Sequence, residues 1–416
     1  MKTSSCTITA ENYKGWKALR VANGILEVFI VPEIGGRIIQ LRLGENDFLY
    51  VNPRHLGRVY PPEQNNLIAG WKNYGGSKVW PAPQGWSSDA EWPGPPDPIL
   101  DGSPYSCRIA EDDSGTVAAY LESPADEYTG LTLAREIRVR RDAAQVFIRH
   151  TMRNTSARPV SWGVWEVTQH VAHEHFWVFV PGKEYRQMFG DREYKDIHCQ
   201  DQPSLWRLHY TNQVAKFAVQ AAEGWVATLD SQRGVVYAGC FKLFPGAHYP
   251  DGAPVEVWVS GEGTFTIHGD RVDPSSDPNG CDALVETEIL SPQVRLEPGE
   301  EYTFPITWSV AHLGTDEVTA INPCAAVGRR LEARREDKAL RLTGTFGVFR
   351  NGTLELVTVE RSGKTGAVRS VGAVSPLKAC TVDQRMPWGE SVGRVSLRLR
   401  DAAGTLLGTV DECAIR

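Results

Sequence analysis

Along most of this chain apolar and polar residues alternate one by one, in short runs that end at Gly, Pro, Asn or Asp. A period of two puts successive side chains on opposite faces of a strand, so such runs predict half-buried β-strands. They fall at 25–31, 36–43, 116–121, 131–140, 144–153, 160–168, 225–229, 235–242, 255–259 and 283–289. No sustained helical stripe precedes residue 315, and only 315–320 and 329–336 carry patterns compatible with a turn or two of helix. The tail repeats the strand habit at 339–343 and 353–360 and in a hairpin from 394–400 to 405–410 through Asp-Ala-Ala-Gly. The expected fold class is all-β: a large antiparallel β-sandwich followed by a small immunoglobulin-like β-sandwich.

Composition divides that series of strands. The 416 residues exceed one ordinary domain, and twelve of the thirteen tryptophans lie before residue 309. From residue 329 onward there are 16 Lys/Arg and 10 Asp/Glu, whereas the first 328 residues hold 28 and 41. Both changes predict domains at 1–318 and 330–416, the second an accessory module. An acidic first domain is a poor partner for nucleic acid. No eighteen consecutive residues are apolar and the opening MKTSSCTITAENYKGW has no apolar core, so the expectation is a cytoplasmic protein with no membrane partner. Eight scattered cysteines without a CxxC describe neither a disulfide scaffold nor a zinc site. His173 and His175 alternate as an HxH, but no third ligand accompanies them, and the chain implies no metal and no cofactor. There is no GxSxG, P-loop, GxGxxG or HExxH, which removes the serine-hydrolase, kinase, dehydrogenase and zinc-protease readings.

One stretch carries the candidate chemistry, 71–92, WKNYGGSKVWPAPQGWSSDAEW. Gly75-Gly76 and Pro81-Ala-Pro83 forbid a long helix and leave a stiff, irregular segment. Flat indole faces beside amides and lysines suit a pyranose, which has an apolar C–H face and a rim of hydroxyls. The same indoles equally suit plugs over a core. Lys78, Trp80, Gln84 and Trp86 are the candidate recognition wall, Gln84 because an amide both donates and accepts, as a diol demands.

Two strings extend this to a resemblance. Asn23-Gly-Ile-Leu-Glu-Val with Val31-Pro-Glu-Ile-Gly-Gly-Arg-Ile-Ile-Gln-Leu41 resembles the opening strands of the galactose mutarotase-like superfamily. Asn73-Tyr-Gly-Gly-Ser-Lys-Val-Trp-Pro-Ala-Pro-Gln84 more specifically resembles its DUF4380 branch. The resemblance implies a mutarotase-like β-sandwich over residues 15–315, a small-molecule carbohydrate as partner, and an aldose 1-epimerase-like isomerase. In the epimerases an acid histidine sits in Thr-Asn-His, which Thr168-Gln169-His170 resembles, and a basic glutamate in Leu-Glu-Thr-Gln, which Val285-Glu286-Thr287-Glu288 resembles. The chain departs by reading Val-Ala-His-Glu after His170, and by carrying Tyr74 where an epimerase has a second histidine before Gly-Gly.

Ring opening of a hemiacetal needs a base for the anomeric hydroxyl and an acid for the ring oxygen, which His170 and Glu286 would supply. By strand parity Glu286 and Glu288 share a face with Leu284 and Leu290, a face that is either a site or the wet outside of a sandwich. His170 shares its face with Glu166 and Thr168, as a site residue with a carboxylate neighbour or as a surface histidine. Arg37 and Tyr74 flank the two Gly-Gly pairs, and Lys242 and His248 lie where a strand enters a Pro-Gly loop; each is a candidate sugar contact. Two rival functions remain: a non-catalytic sugar-binding protein, and a lyase or glycosidase using Glu286/Glu288 or Glu166/Glu286.

Overall fold

The computed structural model describes residues 6–66, 70–84, 92, 94, 97–111, 116–267, 269–274, 277, 282–336 and 339–415. Among these residues the only helical turns are 3₁₀ segments such as Pro53–His55, and the strands pair antiparallel throughout the ladders described below. Among the described residues no helix is long and apolar enough to cross a membrane. The cysteines among them are free. The chain divides into two compact units, one of Met1–Arg141, Val146–Val226 and Gly239–Trp308, the other of Asp142–Gln145, Ala227–Ala238 and Ser309–Arg416.

The first unit contains a twelve-stranded sheet. Five of its strands carry the site and are numbered in chain order: β1 Ser77–Ala82, β2 Val160–Val171, β3 Ala215–Val219, β4 Val255–Val259 and β5 Leu284–Leu290. They lie side by side as β1-β2-β5-β4-β3. A second, ten-stranded sheet includes the neighbours Gln145–Asn154 and Leu131–Val139. Arg135 ties the two sheets together: its guanidinium donates to Gly36 O at 3.1 Å, Ser77 O at 3.0 Å and Ser77 Oγ at 3.0 Å. A fully buried arginine is tolerated because these bonds and the nearby Glu166 carboxylate offset its desolvation.

β1 is the middle of the tryptophan-rich stretch, which the sequence describes as irregular. Its six residues are all buried, in register with β2 from Ser77↔Thr168 to Ala82↔Gly163. Gly75 and Gly76 set it there. Both have positive φ, and a Cβ would stand 2.3 Å from Tyr50 O at Gly75 and 2.4 Å from Ile38 O at Gly76. Only glycine lets the backbone approach so closely.

In the second unit two four-stranded sheets share one core, with Leu331, Leu340, Leu342 and Phe346 from the first and Leu354, Leu356, Leu397 and Leu399 from the second. The helical turns expected near 315–320 and 329–336 do not form. Residues 315–320 are bends and extended chain, and 329–336 belong to the strand Ala325–Glu336. That strand pairs with Ala339–Val348, and Leu331 is buried in the core. Pairing and burial outweigh the weak helix preference of its Arg, Leu, Glu and Ala residues.

Candidate functional site

Strand parity decides which side chains meet. On β2 the even residues Glu166, Thr168 and His170 enter the core between the two sheets, and the odd residues Trp165, Val167 and Gln169 turn the other way. Residues directly opposite in an antiparallel ladder share a face. Trp165 lies opposite Trp80, Val167 opposite Lys78 and Glu288, and Gln169 opposite Glu286. On β4, Glu256 opposes Glu288 and Trp258 opposes Glu286, and Lys216 of β3 opposes Trp258. One face of five strands therefore gathers Lys78, Trp80, Trp165, Gln169, Lys216, Glu256, Trp258, Glu286 and Glu288.

Lys78 Nζ lies 3.5 Å from Glu286 Oε1, 4.4 Å from the Trp71 ring centroid and 4.3 Å from that of Trp80. Both indoles attract the ammonium through their negative faces. Their positions are fixed from behind: Trp71 Nε1 donates to Asp101 Oδ2 at 2.9 Å and Trp80 Nε1 to Asp101 Oδ1 at 3.0 Å. Asp101 is in turn held by Arg37 Nη2 at 2.5 Å. Burial brings the Lys78 ammonium down to about 8, with Glu286 opposing the shift. Glu286 accepts from Gln169 Nε2 and keeps 13% of its side chain exposed, so it is the part of the pair that meets solvent.

Two strands from β5, on β3, Lys216 Nζ lies 2.7 Å from Glu256 Oε2, 3.0 Å from Glu288 Oε2 and 4.6 Å from the Trp165 ring. Burial works against the Lys216 charge, but the two carboxylates outweigh it and hold the ammonium above its ordinary range. Burial raises both glutamates, Glu256 to about 8, with Lys216 opposing; the Glu288 carboxylate adds to the shift of Glu256 and the Glu286 carboxylate to that of Glu288. Trp165 Nε1 donates to Glu288 Oε2 at 2.7 Å.

The structure does not bring His170 to Glu286. His170 stands on the core face with Nδ1 3.2 Å from Phe48 O and Nε2 3.1 Å from Thr287 Oγ1, so Nδ1 carries the proton and Nε2 accepts from the hydroxyl. Burial lowers its pKa to about 3. Glu166 is on that same inner face and accepts from Ser77 Oγ at 3.0 Å and Thr168 Oγ1 at 2.7 Å, its carboxyl raised by burial to about 7. A Glu166/Glu286 carboxylate pair is thus split by the thickness of the sheet. Tyr74 is fully buried, packed against Trp16 and Phe29, its hydroxyl accepts from Tyr60 N at 3.2 Å, and burial raises its pKa to about 12. Arg37 is a buried support of Asp101 rather than a cleft residue. Lys242 and His248 are exposed on the surface, Lys242 over its own neighbour Phe244 at 4.9 Å. Gln84 is half-buried and bridges to Trp92, and Trp86 lies outside the described residues. Among the described residues no three His, Cys, Asp or Glu side chains are placed to hold a metal.

Sequence reasoning passed over Lys216, Glu256, Gln169, Trp165, Trp258 and Asp101. Two of them had a readable signal. Lys216 is a lone charge inside the apolar AKFAV, and Glu256 alternates with Trp258 in VEVWV. A charge in such a strand is either on the wet face or in a buried partnership, and only the neighbours tell which.

The family described as a domain of unknown function, DUF4380, matches residues 17–311. The chain belongs to the DUF4380 family. All five site strands lie within the DUF4380 span. No curated protein matches the sequence. Among solved structures, a TPR-domain containing protein from Parabacteroides distasonis is similar with a TM-score of 0.51 and 13% identity, over 77% of this chain and 55% of that one. This DUF4380 chain thus spans little more than half of that protein, and the likeness is one of fold alone. A galactose mutarotase-like protein from Clostridium acetobutylicum (TM-score 0.45, 11% identity, 74% of this chain and 99% of that one) is also similar. So is a galactose mutarotase related enzyme from Lactobacillus acidophilus (TM-score 0.43, 10% identity, 73% of this chain and 100% of that one).

Proposed function

We propose that this chain binds a monosaccharide or sugar end-group on the outward face of β1, β2 and β5 and interconverts its anomers, with Glu286 as base and Lys78 as acid. The observation that carries the reading is the Lys78 ammonium, 3.5 Å from the part-exposed Glu286 carboxylate and enclosed by two indole rings. Ring opening moves the anomeric hydroxyl proton to Glu286 and a proton from Lys78 to the ring oxygen; closure on the other face of the aldehyde reverses both transfers. Burial has made this ammonium a stronger acid than an ordinary lysine while leaving it charged at neutral pH. The part expected of His170 passes to Lys78 because parity sends His170 into the core. The indoles offer apolar faces to a pyranose, and Glu286 hydrogen-bonds its rim.

The test is the rate of anomer exchange, measured by NMR or polarimetry over common aldoses. Lys78→Met and Glu286→Gln are each expected to slow it by about 10²–10⁴-fold. A wild-type protein that accelerates no aldose, or a Lys78→Met variant with full rate, overturns the proposal. The enclosure of His170 favours one second reading, a sugar-binding protein without catalysis. It is recognised by sugars that raise the melting temperature yet leave anomer exchange at its uncatalysed rate.

A further inference from the structure

The Lys216 cluster is not used by the Lys78–Glu286 pair, although it occupies the same face. Glu256 and Glu288 each turn one oxygen to Lys216, at 2.7 and 3.0 Å. Their other oxygens, Glu256 Oε1 and Glu288 Oε1, and the amide oxygen of Gln169 are buried and find no donor among the described residues. Gln169 Nε2 must be the atom that meets Glu286, since a carboxylate accepts, so the free atom of this amide is an acceptor. Three unpartnered acceptors therefore stand on the adjacent strands β2, β5 and β4, in side chains that are at most 1% exposed. Buried polar atoms normally have partners, and an exception calls for an explanation. The donors described around them turn to other oxygens: Lys78 and Gln169 to Glu286 Oε1, Lys216 to the Oε2 atoms of Glu256 and Glu288, and Trp165 to Glu288 Oε2. Fully ionised, the face would hold three carboxylates against two ammoniums, and burial keeps Glu256 protonated up to about pH 8 instead.

We propose that the ligand of this face meets Gln169, Glu288 and Glu256 with hydrogen-bond donors of which one is a cationic amine, so that an amino sugar is its preferred class and anionic sugars are rejected. The proposal rests on the carbohydrate reading above and names its substrate class. An ammonium brings three donors and no acceptor, and its charge takes the place of the Glu256 proton, which leaves to solvent, so that three carboxylates then face three cations. A hydroxyl can satisfy the acceptors but not the charge. A uronate carboxylate or a phosphate brings only acceptors and more negative charge, which a buried row of oxygens repels.

The full-length protein is titrated calorimetrically at pH 6.5 with 2-amino-2-deoxyhexoses, their N-acetyl derivatives, the parent hexoses and the hexuronates, in the gluco, galacto and manno series. Expected is an amino sugar bound at least about tenfold more tightly than its N-acetyl and neutral counterparts, with no hexuronate binding. Glu288→Gln is expected to reduce that preference to about threefold or less, the amine losing more affinity than the neutral hexose. If a neutral hexose or a hexuronate binds as tightly as the amine, the amine inference is overturned while the carbohydrate reading stands. If no sugar in the panel binds, both are overturned. Should Glu288→Gln fail to fold, the wild-type ranking decides alone.

Discussion

Single side chains on this sheet owe their chemistry to the face they occupy. His170 and Gln169 are neighbours in sequence, yet one is a neutral core histidine near pKa 3 and the other stands beside Glu286 on the opposite face of the sheet. His170→Ala removes the acceptor of the Thr287 hydroxyl and the donor to Phe48 O, and is expected to cost about 1–3 kcal/mol in urea unfolding while anomer exchange keeps its pH profile. Lys78 gives the opposite signature. The acid role needs the ammonium, so kcat/KM is expected to fall as pH rises through about 8, and a profile flat to pH 10 would remove Lys78 from the mechanism.

At the scale of elements, β1 and the β3–β5 group are held by different means. β1 depends on two glycines behind it, and Gly76→Ala should lower the melting temperature and weaken sugar binding together, because the new methyl meets Ile38 O and shifts the strand that carries Lys78. The β3–β5 group depends on a buried charge balance. Lys216→Met leaves Glu256 and Glu288 facing each other without a cation and is expected to cost about 3–5 kcal/mol. Adding Glu256→Gln to that variant should recover part of the loss; a double variant less stable than the single one would show that the ammonium is not what neutralises the pair.

Over the whole molecule, buried titratable groups set the range of pH in which the fold is stable. His170 has a folded pKa of about 3 against 6.5 unfolded, so the unfolded chain binds more protons between those values. Its contribution is fully present above about pH 6.5 and is lost as pH falls toward 3. Glu166 runs the other way, with a folded pKa of about 7 against 4.5; its contribution is present below 4.5 and lost as pH rises through 7. Glu166→Gln should therefore gain melting temperature relative to wild type on going from pH 5 to pH 8, and an unchanged difference would remove Glu166 from the balance. The division of the chain matters at this scale as well. Because Asp142–Gln145 and Ala227–Ala238 belong to the second unit, a chain cut at residue 318 leaves both without the rest of that unit. It is expected to unfold at a lower temperature than the full chain, measured by scanning calorimetry.

The alternation of apolar and polar residues was enough to place strands such as Val255–Val259 and Leu284–Leu290 within a residue of their ends, because a period of two is a local property of the backbone. It also paired Glu286 with Glu288, and His170 with Glu166, on common faces within each strand. It left open which face of β2 meets which face of β5, and whether either meets solvent. That is set by the register between strands far apart in the chain, Gln169↔Glu286 and Val167↔Lys78, and by the second sheet that covers one side. Strand Ser77–Ala82 escaped local reading for the same reason: its Gly, Pro and Trp content describes a loop, and two close backbone contacts at Gly75 and Gly76 make it a central strand. Sequence determined the strands and the residues each presents; only the tertiary structure decided that Lys78, rather than His170, stands beside Glu286.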